Sequence, residues 1–171
     1  CKKVKGKEYA VSTNSDIYLY SLKSKGATNL SAFNLGYDKE PVFSPDGKYL
    51  LWSSMERDGF ESDRNRIMLL NIASKTTAEV SMGWDRNANH PQWAKDGKSL
   101  YFISGEKATN QIFSIALNRK QPKQLTSGVH NYYDFFVAEK SLVGRKASMS
   151  MPHEVFRVDM GDGAETQLTF V

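Results

Sequence analysis

The chain has 171 residues, a formal net charge of +4, and 40% hydrophobic and 25% charged side chains. That is a globular composition of about one domain's length, and no stretch approaches the roughly 18 consecutive apolar residues of a membrane-spanning helix. Lys2, Lys3, Lys5 and Lys7 form the only local basic cluster, and acids are interspersed elsewhere. The charge therefore reads as a solvated surface, and no nucleic-acid groove is expected.

Cys1 is the only cysteine, which excludes a disulfide within the chain. A chain opening on cysteine raises lipidation, but Cys1-Lys-Lys-Val runs almost directly into a strand-like segment at 8–11 with little room for a tether. The expectation is a cut from a longer polypeptide and not a lipid anchor.

In chain order, a strand is expected at 16–22 and a short one at 29–31. Then comes Pro41-Val-Phe-Ser-Pro-Asp-Gly-Lys-Tyr-Leu-Leu-Trp52, an apolar strand, an Asp-Gly turn and an alternating strand. It returns as Pro91-Gln-Trp-Ala-Lys-Asp-Gly-Lys-Ser-Leu-Tyr-Phe102, and in degenerate form at 134–144. Each copy is a β-hairpin by pattern. A third strand follows each hairpin, at 65–72, 110–117 and 153–159, and a short fourth at 79–81, 124–126 and 167–169. Phe43 and Trp93 are 50 positions apart, whereas Ile67 and Ile112 are 45 apart, so the second unit carries a five-residue insertion between its second and third strands.

A repeat of this length, built of four antiparallel strands, is a β-propeller blade. The predicted fold is all-β: a propeller fragment of about three and a half four-stranded blades, with a partial blade at 1–31 and blades at 41–81, 91–126 and 134–169. Open faces and edges at either end require cover. Either this is a piece of a larger propeller or it self-associates through its open edges.

Strand reversal puts the loops between strands two and three on one end of the propeller together with the connections between blades. The Asp46-Gly47 and Asp96-Gly97 turns fall at the opposite, plain end, where Asp and Gly have only a turn-forming role. Trp52, Trp93, Tyr101 and Phe102 are expected in the core between blades. The elaborated end carries the insertion, with Glu56, Arg57, Asp58, Glu61, Asp63, Arg64 and Arg66, and the connection with Trp84 and Arg86. Carboxylates there could hold an ammonium group and arginines a carboxylate. The alternative is a loop that neutralises itself through exposed ion pairs.

Catalytic and metal signals are lacking. No two glycines stand four apart, so there is no Gly-x-Ser-x-Gly elbow. His90, His130 and His153 are isolated from one another, and no metal-ligand pair or glycine-rich phosphate loop is present. No catalytic residue, metal or cofactor is expected in the chain.

Ser44-Pro-Asp-Gly-Lys48, Ile17-Tyr-Leu-Tyr20 and Gln124-Leu-Thr126 resemble the repeat of the periplasmic Tol-system propeller and of the propeller domain of prolyl oligopeptidase family serine peptidases. The stretch from Asn29 through Gly36-Tyr-Asp and Pro41 to Arg66 is similar to bacterial peptidases of the acylaminoacyl-peptidase and dipeptidyl peptidase 5 type, as are Ala147-Ser-Met-Ser-Met-Pro152 and Gln167-Leu-Thr-Phe170. The resemblance implies the propeller of an exported, periplasmic peptidase whose catalytic triad lies in a separate C-terminal α/β-hydrolase domain. There the propeller would gate peptide access and anchor the substrate N-terminus, through one of the carboxylates between Glu56 and Asp63. The second implied role is a non-enzymatic, protein-binding scaffold of the Tol type.

Overall fold

A computed structural model describes residues 2–3 and 6–170; Cys1 and Lys5 lie outside them. The first unit contains β1 (Lys2–Lys3) paired with β2 (Ser15–Asp16), and β3 (Tyr18–Tyr20) paired with β4 (Ala27–Asn29). Three four-stranded antiparallel meanders come next. One is β5 (Asp38–Phe43), β6 (Tyr49–Ser54), β7 (Arg66–Asn71) and β8 (Thr77–Glu79); the next is β9 (Asn89–Trp93), β10 (Ser99–Glu106), β11 (Thr109–Ala116) and β12 (Lys123–Gln124). The last is β13 (Asn131–Val137), β14 (Ser141–Ser148), β15 (Met151–Asp159) and β16 (Glu165–Gln167). This is the blade arrangement that the repeat implied.

The expected strand at 8–11 is not one. Lys2 pairs with Asp16 and Lys3 with Ser15, so β1 already fills the place beside the third strand. The segment between β1 and β2 is therefore a connection, and it contains a 3₁₀ helix at Gly6–Ala10. The short fourth strands also sit one or two residues earlier than expected, for a repeated reason. The hydroxyls of Ser31, Ser81, Thr126 and Thr169 accept the amides of Ile17, Ile67, Ile112 and Val155 at 2.9–3.0 Å, replacing a backbone ladder bond.

Period-two alternation sends each strand's apolar residues to the two faces of its sheet, and adjacent sheets bury them against one another. Leu50, Trp52, Met68 and Leu70 pack towards Ile17 of the first unit. Leu51 and Ile67 meet Trp93, Leu100, Phe102 and Phe113 of the next sheet. Tyr101, Ile103 and Ile112 meet Tyr132, Phe135, Leu142 and Val158 of the last. The four aromatics expected in the core are all buried. At the two ends of the stack Tyr20 and Phe136 remain exposed.

The Asp-Gly turns are structural. Asp46 Oδ1 accepts the Lys48 amide at 3.1 Å and the Ser44 hydroxyl at 2.7 Å, and these bonds hold its pKa down at about 2. Asp96 accepts the Lys98 amide at 2.9 Å. Gly47 and Gly97 have φ of 70° and 67°, which a β-branched residue resists. Between the last two sheets lies a polar cluster: the Tyr132 hydroxyl donates to Glu165 at 2.8 Å, Lys146 bonds the same carboxylate, and His130 Nε2 sits 3.5 Å from it. Burial and the adjacent Lys146 ammonium lower the His130 pKa, against the pull of Glu165.

Replacing Gly47 or Gly97 with valine should cost about 1 kcal/mol or more, read by thermal denaturation. An unchanged melting temperature would mean that the turn does not need its left-handed corner. For His130 the depressed pKa has a definite sign. As pH falls through 6.5 the unfolded chain takes a proton that the folded one refuses, so stability is lost towards acid pH. Urea titrations should show that slope below neutrality, and His130→Gln should flatten it.

Candidate functional site

The connections at the elaborated end come together as the strand order requires. Gly36 packs so closely that a Cβ built on it would stand 2.3 Å from the Met55 carbonyl oxygen, and Asn34 Nδ2 donates to that oxygen at 2.8 Å. The connection between the first two units thus grips the base of the inserted loop at 55–65. On its other side Arg64 reaches the Trp84 carbonyl at 2.7 Å.

Beneath the loop lies a buried polar network absent from the sister sheet. Asp38 Oδ1 accepts from Trp52 Nε1 at 3.0 Å and Asn34 Nδ2 at 3.1 Å. Arg66 bonds Asn34 Oδ1 and Ser54 Oγ, each at 3.2 Å, and pairs with Glu56 at 3.4 Å. Burial pushes the Asp38 carboxyl up, opposed by hydrogen bonding from Ser54, Ser31, Asn34 and Trp52. Fifty positions later Trp84 replaces Asn34, Ala88 replaces Asp38, and Phe102 replaces Trp52. There the Trp84 ring packs on Phe113 at 5.2 Å and its N–H bonds Ser104 at 3.2 Å.

The loop residues divide into structural and free groups. Asp63 accepts the amides of Glu56, Arg57 and Arg64 and pairs with the Arg57 guanidinium at 3.0 Å; these bonds hold its carboxyl well below the usual range. Arg57 also covers the Phe60 ring, 4.1 Å from its centre. Arg64 pairs with Glu79 at 2.9 Å. Arg86 stacks over Trp84 at 4.2 Å and pairs with Glu106. Every arginine singled out from the sequence is therefore neutralised within the fold.

Two carboxylates remain. Asp58 accepts the Ser12 hydroxyl at 2.7 Å, which ties the inserted loop to the first unit's connection. Glu61 is exposed and has no partner among the described residues. Between these two connections is a cavity of about 580 Å³, lined by residues 10–14 on one side and by Gly59 and Glu61 on the other, with Tyr37 and Met55. Trp84 and Arg86 do not line it.

Sequence reasoning missed one more pair. Glu40 and His90 have φ of 56° and 52° at bulges in the first strand of their sheets, each just before a proline, and their side chains approach to 4.0 Å. The recurrence of an X-Pro step ahead of both copied hairpins was the available signal.

The TolB beta propeller domain (PD40) family model matches residues 8–170. Dipeptidyl-peptidase 5 of Porphyromonas gingivalis is 39% identical over 168 residues, covering 98% of this chain and 25% of that protein. The Porphyromonas endodontalis enzyme of the same name is 40% identical over 168 residues. The chain thus spans about a quarter of the length of these curated relatives. Among solved structures, TolB from Acinetobacter baumannii matches 95% of this chain and 39% of its own at a TM-score of 0.67 and 20% identity. Pyrococcus horikoshii acylaminoacyl peptidase matches 91% of this chain and 23% of its own at a TM-score of 0.70 and 19% identity. At such identities the two structures speak for the fold alone. The matched repeat, the four-stranded meanders and the buried aromatic interfaces place the chain in the TolB β-propeller family, with dipeptidyl-peptidase 5 as a relative along nearly its whole length.

Proposed function

We propose that this chain is the non-catalytic propeller portion of an exported, periplasmic serine peptidase of dipeptidyl or oligopeptidase type. In this reading its elaborated end faces the hydrolase domain, restricts access to peptides, and anchors the substrate N-terminus. The observation that carries it is the Glu61 carboxylate, unpaired at the wall of a cavity of about 580 Å³ while the loop's arginines are all neutralised. An ammonium group finds a charge partner there and a hydrogen-bonding wall in Ser12, Thr13 and Asn14. The relationship to dipeptidyl-peptidase 5 supports the same reading.

A Tol-type scaffold is the second reading, favoured by the TolB fold match and by the exposed apolar side chains of Phe33, Leu35 and Met82 at the same end. Dipeptidyl-substrate hydrolysis by the full-length protein, with a serine-reactive phosphonate as label, separates the two. Activity with labelling supports the peptidase; an inert, unlabelled protein leaves the scaffold.

In the peptidase reading Glu61→Gln should raise KM for substrates with a free amino terminus by about tenfold, the scale of one charge-assisted bond, with kcat nearly unchanged. N-blocked substrates should be unaffected. An equal effect on both substrate types would remove Glu61 as the anchor. Gly36→Ala tests the base of the loop, because the added methyl displaces Met55. It should lower activity on both substrate types and lower the melting temperature.

A further inference from the structure

The turns at the plain end gather charge that the linear sequence scatters. They join the first strand of each sheet to the second, and the third to the fourth. Lys23 and Lys25 lie on the first unit, and Lys48 and Lys75 on the next sheet. Lys95, Lys98, Arg119 and Lys120 belong to the third, and Lys140 to the last; all nine are exposed. The same end carries five carboxylates, Asp46, Asp96, Glu139, Asp159 and Asp162. The excess is four positive charges, and Lys123, the first residue of β12, adds a fifth by reaching the Gly161 carbonyl at 3.2 Å.

Eight of these nine cations also lack an acid partner. Among the described residues only Lys48 has an acid partner, Asp46 at 3.2 Å. Three of the other four turn carboxylates serve backbone amides instead: Asp96 that of Lys98, Asp159 that of Gly161, Asp162 that of Ala164; Glu139 is exposed beside Lys140. The elaborated end is the reverse, with Arg57, Arg64, Arg66 and Arg86 each against a carboxylate.

The backbone points the same way. Lys25 and Lys75 occupy the left-handed corner of the turn between third and fourth strands, with φ of 57° and 61°. Each donates its amide four residues back, to Ser21 and Asn71. The equivalent corner in the last sheet is Gly163, φ 77°, whose amide bonds Asp159 in the same way. Glycine is thus the residue the corner favours, and twice a lysine stands there at a conformational cost. Beside Lys23 in the first of these turns, Leu22 is 78% exposed.

We propose that the plain end is a docking surface for an anionic lipid bilayer, which it meets flat, through many separate lysines, with Leu22 touching the interface. Eight of the nine cations are lysines, compact hydrated charges suited to a field of headgroup phosphates. None of these turns carries an aromatic side chain, so bases have nothing to stack on, and nucleic acid is the poorer fit. This surface does not depend on the peptidase reading.

Vesicle co-sedimentation tests it. Phosphatidylcholine vesicles carrying about 30% phosphatidylglycerol should retain the protein at low salt at least about tenfold better than pure phosphatidylcholine, and high salt should release it. The double variant Lys25→Gly, Lys75→Gly separates recognition from folding, because its two readouts move in opposite directions. It should melt higher, since both corners lose strain, yet bind anionic vesicles on the order of tenfold more weakly. Lys95→Glu with Lys120→Glu should weaken binding likewise without touching a strained corner, and Lys107→Glu at the other end should leave it unchanged. Equal binding to neutral vesicles, or a double glycine variant that melts higher and binds as before, overturns the proposal. A DNA duplex that displaces the protein from vesicles at equal phosphate also overturns it.

Discussion

One side-chain hydroxyl closes every unit of this fold. Ser31, Ser81, Thr126 and Thr169 each accept the amide of a β-branched residue 14 positions earlier. The neighbouring backbone bond, from Leu30, Val80, Leu125 or Leu168 to the carbonyl of that same residue, is 2.8 Å every time. Three of these amides are buried, and an unpaired amide in such a place costs about 1–3 kcal/mol. The hydroxyl therefore ends the fourth strand where it does and sets where the chain departs for the next blade. The position of every connection between blades depends on that departure point.

The same hydroxyls hand their own proton inward, and there the blades differ. Ser81 donates to Glu79 at 3.0 Å, Thr126 to Gln111 at 2.8 Å, and Thr169 to Glu154. Around this repeated slot one sheet builds the Asp38–Asn34–Arg66 network, the next packs Trp84 against Phe113, and the last sets Tyr132 over Gly144 with Lys146 and Glu165. A Cβ on Gly144 would stand 3.0 Å from the Tyr132 ring, so the glycine is the room that the tyrosine occupies. The charged version sits under the inserted loop. A buried carboxylate and guanidinium cost more than an apolar filling unless their hydrogen bonds are met; Arg66 Nε has no partner among the described residues, and the bonds the network does make fix Met55 and Glu56.

The two ends of the stack carry opposite chemistry on one scaffold. At the elaborated end every one of the four arginines is paired, with Arg64 and Arg66 partly buried and Arg57 and Arg86 laid over aromatic rings, so they shape loops and leave a carboxylate free at a cavity. At the plain end all but one of the turn cations stand without an acid partner, and the four turn aspartates accept backbone amides. The antiparallel meander produces this division, because it sends alternate connections to opposite ends. Each end can then be varied without disturbing the aromatic interfaces between sheets.

The repeat itself was legible in the sequence. The copied Asp-Gly hairpins, the period-two strands and the aromatics at matching positions are local patterns, and they determined blade type, strand count and core. The inserted loop was legible too, as a five-residue difference between two spacings. Strand placement in the first unit was not: residues 8–11 look strand-like, but β1 had already taken the partner's place. Nor did the sequence reveal which loop charges are free, because Arg57, Arg64, Arg66 and Arg86 find partners up to 20 residues away, across connections. The Asp38 network was visible only as an acid where the sister copy has Ala88. The lysines of the plain end look scattered along the chain because they are spaced by whole strands, and only the stacking of the sheets brings them to one surface.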